Sequence, residues 1–168
     1  MTCTKKKILL CIALAITVFW VGFIFSNSLD NGEESGEKSS AVTEIVNSIA
    51  QSVGIDEPIQ ESTVRNMGHF LEFAVLSLLV CADIALISYA LKAQKPTVTR
   101  LMVAAPVCCL VACIDELIQK FSAGRAAQFS DVLTDTLGAI CAMAIFICFY
   151  IACCKINWVK NAKNTTEI

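Results

Sequence analysis

RNMGHFLEFAVLSLLVCADIALISYAL, residues 65–91, decides the fold. From His69 to Leu91 it is long and apolar enough to span a membrane, since a helix needs about 20 such residues to cross the hydrocarbon. Yet Arg65, His69 and Glu72 stand at its start and Asp83 lies inside it. On a helix, residues at i+4, i+7 and i+11 fall nearly in line, so Arg65, His69, Glu72, Leu76 and Asp83 share one stripe. Charge within a bilayer is expensive and is kept for binding, catalysis, transport or a structural ion pair.

Three further runs are long and apolar enough to cross: about 8–25, 101–120 and 131–154. The third span closes on Asp115, Glu116 and Gln119, and the fourth opens on Asp131 and Asp135. Asp115 and Gln119 are one turn apart, and so are Asp131 and Asp135. Gly138 and Ala142 continue the acidic face of the fourth span and mark it as a packing face, because small residues let helices approach closely. The polar stripes are expected to meet at one end of the bundle. The loop 121–130 is expected to close over them and supply Arg125, with Gly124 making a tight turn.

Composition agrees with a small polytopic membrane protein: of 168 residues, 56% are hydrophobic and 17% charged, with three prolines. No basic patch with interleaved aromatics points to nucleic acid. No internal repeat or second domain is visible, so residues 1–168 read as one domain.

Orientation follows from lysine and arginine placement. Lys5, Lys6 and Lys7 precede the first span; Lys92, Lys95 and Arg100 lie between the second and third; Lys155, Lys160 and Lys163 follow the fourth. The loop 26–68 is acidic instead, with Asp30, Glu33, Glu34, Glu37, Glu44, Asp56, Glu57 and Glu61. Both termini are therefore expected on the cytoplasmic side. The first span has a lysine-rich start like a signal peptide, but its apolar core exceeds the usual ~7–15 residues and no A-x-A site follows, so it reads as a retained anchor.

Within the outer loop, Asn31 to Ser40 reads as a flexible polar segment. Val42, Ile45, Val46, Ile49 and Val53 then recur at helical spacing. They predict a short amphipathic helix, either lying on the outer membrane surface or, as the lack of basic residues on its polar face favours, capping the bundle. The fold class is thus an all-α integral membrane four-helix bundle with a short extracytoplasmic helix. Ten cysteines invite a disulfide or metal reading, but eight lie in apolar runs and no C-x-x-C pair occurs, so they read as small packing residues.

The motifs carry a resemblance. Arg65-x3-His69-Phe70-x-Glu72-Phe73 resembles the second-span motif of VanZ-like membrane proteins. Asp115-Glu116-x2-Gln119-x-Phe121-x2-Gly124-Arg125, followed by Asp131-Val132-Leu133-x-Asp135-x-Leu137-Gly138-Ala139, resembles that family's main signature, and Phe25-Ser26-Asn27-Ser28 resembles its serine motif. The chain departs from the pattern at Ile118 and Ala123, where many members have His and Pro. The resemblance implies a protein of the bacterial plasma membrane and cell envelope. It also implies an association with low-level resistance to teicoplanin-type glycopeptides.

The polar set Arg65, His69, Glu72, Asp115, Glu116, Gln119, Arg125, Asp131 and Asp135 supports several readings. One is binding of a membrane lipid, a lipid-linked cell-wall precursor or a glycopeptide lipid tail. A second is a metal-assisted enzyme on a lipid-linked phosphate: Arg65 and Arg125 would grip phosphate, and His69 with the carboxylates suits magnesium or manganese more than structural zinc. A third is a structural ion network pinning the helices. A small proton-coupled transporter fits less well, since four spans hold no inverted repeat. Asp83 is either the inner end of a proton path or a helix-packing acid.

Overall fold

A computed structural model describes residues 3–90, 97–124 and 128–166, with side chains at 4–90, 97–124 and 128–155. The helices are α1 (Cys3–Leu29), α2 (Gly32–Ser52), α3 (Glu61–Ala90), α4 (Val98–Leu101), α5 (Ala104–Phe121) and α6 (Phe129–Thr166). Among the described residues, four stretches are long and apolar enough to cross a membrane: α1, α3, α4 with α5, and Phe129–Lys155 of α6. Their outer faces are hydrophobic: Val18, Phe19, Leu110, Ile145 and Phe149 are all exposed. That is the surface expected of helices solvated by lipid rather than water.

The spans run up and down. Lys6 at the start of α1 lies over the ring of Tyr89 at the end of α3, 3.7 Å from its centroid. At the other end, Ser28 of α1 meets Asp115 of α5. The interior is layered between these ends. Cys81, Leu101, Ala104 and Met143 form one apolar cluster. Ile24, Phe73, Leu76, Cys108, Ala112 and Ala139 form the next, below the polar end. Gly138 allows α6 to approach α3 closely: a Cβ there would lie 2.2 Å from the Phe70 carbonyl oxygen. The face of α6 that carries Asp135 is therefore its packing face, as the small-residue spacing predicts.

Several boundaries differ from the sequence reading. Residues 32–40, expected to be flexible, form the first turns of α2. The Asn31 side chain accepts a hydrogen bond from the Glu34 amide at 2.9 Å, and Glu33 and Glu34 occupy the first turn. An N-cap and two acids at the positive end of the helix dipole outweigh the weak helix propensity of Gly and Ser. Gly32 is required there: its amide bonds to Ala123 O at 2.9 Å, and a Cβ would lie 2.7 Å from Gly124 O. Gly124 itself has φ 77°, the left-handed conformation that the predicted tight turn needs.

Only the first half of α2 covers the polar end. Ile45 and Ile49 are 61% and 60% exposed, so the apolar stripe is not buried on the bundle. The capping expected of Val42 to Val53 is not seen; it is Gly32, from the stretch expected to be flexible, that packs on the α5–α6 connection. Beyond that, α2 is tied back by Asn47, whose side chain bonds the backbone of Ile59 in both directions, at 2.7 and 3.2 Å. α3 begins eight residues before His69, and the span expected at 101–120 is broken after α4, with Pro106 in the first turn of α5 where no amide partner is needed. The cysteines divide: Cys81 and Cys108 are buried, but Cys11, Cys113, Cys141 and Cys148 are exposed on the outer face. For those four the packing reading fails, because their helices turn other residues inward. Each is free.

Candidate functional site

α3 rises about 25 Å between Phe73 and Ala90 at 1.5 Å per residue. That nearly fills a hydrocarbon core of about 30 Å. His69 and Glu72 lie about two and three turns inside α3, which begins at Glu61. α5 ends and α6 begins at the same level. Three helix termini thus bring their polar residues to one end of the bundle.

At the centre are His69 of α3, Asp115 of α5 and Asp135 of α6. One donor atom from each lies within 4.8 Å of the others. Asp115 and Asp135 are each only 1% exposed. His69 Nδ1 lies 3.9 Å from Asp135 Oδ1 and 4.0 Å from Glu72 Oε2. Asp115 is held on both oxygens: Ser28 Oγ donates to Oδ1 at 2.5 Å, and Gln119 Nε2 donates to Oδ2 at 2.8 Å. Gln119 also reaches Ser28 Oγ at 3.4 Å. Glu72 accepts from Asn27 Nδ2 at 2.9 Å, while its backbone carbonyl accepts from Trp20 Nε1 at 3.0 Å. α1 thereby supplies fixed donors to two of the acids. Buried carboxylates need such partners.

Glu116, also buried, accepts from the Gln128 amide and ties the α5–α6 connection down. Asp131 is half-buried and lines a 260 Å³ cleft with Gln119, Gln128, Gly124 and Arg65. Of the nine residues expected at the site, His69, Glu72, Asp115, Gln119 and Asp135 converge. Glu116 and Asp131 stand at its edge, and Arg125 lies outside the described residues.

Arg65 departs from the expected inward stripe. It is exposed, one turn beyond the packed part of α3, and among the described residues it has no carboxylate within 4 Å. Lys120, at the end of α5, is exposed as well. Arg65 instead lines two clefts. The second, of 280 Å³, is bounded by Asn27, Asp30, Lys38, Val64, His69 and Glu72. Lys38 pairs with Asp30 at 2.5 Å on its rim. An apolar groove of 320 Å³ runs alongside, lined by Val46, Ile59, Met67 and Leu71, and shares Val42, Val64 and Gly68 with that cleft.

Asp83 lies apart, about 16 Å below Glu72 along α3. Its Oδ2 accepts from Thr17 Oγ1 at 2.6 Å, which joins α1 to α3 and suits a helix-packing acid. Interhelical bonds of this kind contribute about 0.6 kcal/mol on average and up to about 1.7. Thr17→Val should accordingly lower the thermal midpoint by only a few degrees in a detergent melt, with the polar end undisturbed.

Asn27, Ser28, Trp20 and Gln128 were not among the residues singled out for the site. Asn27 and Ser28 had a signal: two polar side chains at the end of an apolar run, within a motif already recognised. Trp20 and the backbone amide of Gln128 had none.

No curated protein and no solved structure matches the chain. A model of the VanZ/LLP1 family matches residues 13–150, from within α1 through most of the membrane part of α6. That match reaches into all four apolar spans and takes in every residue of the polar end: the chain belongs to the VanZ/LLP1 family of membrane proteins.

Proposed function

We propose that this membrane protein binds an amphipathic, lipid-linked ligand at the outer face of a bacterial plasma membrane. The carrying observation is the continuity of a cleft lined by charged side chains with an apolar groove, through Val42, Val64 and Gly68. A charged headgroup fits the cleft beside Arg65, Lys38 and His69, and a hydrocarbon chain fits the groove between α2 and α3. A guanidinium such as that of Arg65, which has no carboxylate partner among the described residues, suits a phosphate, which it grips in a forked geometry. Orientation is supported by charge: Lys5, Lys6, Lys7 and Arg100 stand at the end opposite the cluster, and basic residues favour the cytoplasmic side. The ligand class is a lipid-linked cell-wall precursor. Binding such a precursor, or the lipid tail of a glycopeptide, would connect the site to the family's association with teicoplanin resistance.

The test compares lipids that copurify with wild type and with Arg65→Glu, identified by mass spectrometry. Arg65 is exposed, so the variant should fold and melt as wild type does. Lipid-linked phosphates should be enriched on wild type and fall about tenfold on the variant, as expected for a lost charge-assisted contact worth ~1.5–3 kcal/mol. Identical lipid profiles would contradict the reading.

A further inference from the structure

We infer that His69, Asp115 and Asp135 bind a divalent cation of the manganese class beneath the cleft, through one imidazole nitrogen and carboxylates from two other helices. The convergence of donor atoms within 4.8 Å is the first observation. The second is independent of it. Asp135 Oδ1 is buried and accepts no hydrogen bond among the described residues, its nearest ion-pair neighbour being His69 Nδ1 at 3.9 Å. A buried carboxylate oxygen left in that state costs stability unless a cation or a proton satisfies it.

An ion draws the three side chains closer: ligands about 2.1 Å from a common ion lie about 3 Å apart when adjacent, so the donor atoms need to close by about 1–2 Å. Glu72 Oε2 stands 4.0 Å from His69 Nδ1, at the edge of this three-residue set. One nitrogen among several oxygens disfavours calcium, which takes six to eight oxygens, and favours a borderline first-row ion. Ser28 and Gln119 fix the orientation of Asp115, as hydrogen-bond partners of metal ligands do. His69 and Glu72 also line the 280 Å³ cleft, which gives the ion access and leaves its remaining positions open to water or a headgroup. The inference is independent of the lipid proposed above, and its test uses Mn²⁺ alone.

Purified full-length protein, stripped with chelator, is titrated with Mn²⁺ while free ion is followed by electron paramagnetic resonance. Wild type should bind a single ion saturably, and pulsed measurements should show coupling to one imidazole nitrogen. Asp135→Asn should abolish saturable binding, and Ser28→Ala should weaken it about 10–100-fold through Asp115. If Asp135→Asn fails to fold, the nitrogen coupling on wild type still decides. No saturable binding, binding unchanged in Asp135→Asn and His69→Gln, or no nitrogen coupling would each overturn the inference. In the first case the His69–Asp135 pair holds a proton instead.

Discussion

Gly138→Leu is expected to abolish folded, monodisperse protein in detergent. A Cβ at Gly138 would lie 2.2 Å from Phe70 O and 3.0 Å from Phe70 C. The obstacle is helix backbone, which cannot rotate away as a side chain could. Overpacking a core typically costs ~1–3 kcal/mol, and a backbone clash belongs at or beyond the upper end. α6 would have to move off α3, which also pulls Asp135 away from His69, since these residues flank the contact by one turn and one residue. Gly138→Ala should survive with a clearly lowered melting temperature and weakened Mn²⁺ binding. Gly22 is the control: nothing lies within 4 Å of a Cβ built there, so Gly22→Ala should be neutral or mildly stabilising through helix propensity. Fluorescence-detected size exclusion and a thermal ramp check both positions. Equal behaviour of Gly138→Leu and Gly22→Leu would show that α3 and α6 do not touch there.

The second large effect is at Asp115. Asp115→Leu deprives Ser28 Oγ and Gln119 Nε2 of their shared acceptor in a buried setting. Each stranded polar group costs about 1–3 kcal/mol, so a loss of roughly 3 kcal/mol or more is expected. Asp115→Asn keeps the shape and one acceptor oxygen, and should cost about 1 kcal/mol. Removing both sides in Ser28→Ala with Asp115→Leu should cost less than the sum of the single changes, because fewer groups are stranded. Thermal melts of the four proteins measure that coupling. Additive losses would mean that Ser28 and Asp115 do not interact.

Much of this arrangement is legible in the residues. Arg65, His69, Glu72, Asp115 and Asp135 interrupt apolar runs at helix ends, and period alone puts the last four on inward faces. Gly138 announces close packing, and Gly124 announces its turn. What escaped were features set by other parts of the chain. α2 starts at Gly32 because Asn31 caps it and Gly124 packs on it, while the stretch itself looks like a linker. Arg65 follows the helical stripe but not the packing, because α3 outruns its neighbours by two turns. The exposed cysteines share composition with the buried ones and differ only in the rotation of their helices.

The central claim is that the cleft and the groove beside it form a single seat for a lipid-linked amphiphile. A photoreactive phenylalanine analogue at Val64, which lines both, tests it in living cells, with Val18 on the outer face of α1 as the comparison. Irradiation at Val64 should capture a lipid-linked phosphate species absent from the Val18 adducts, which should be bulk phospholipid. The same bulk phospholipids at both positions would contradict the account.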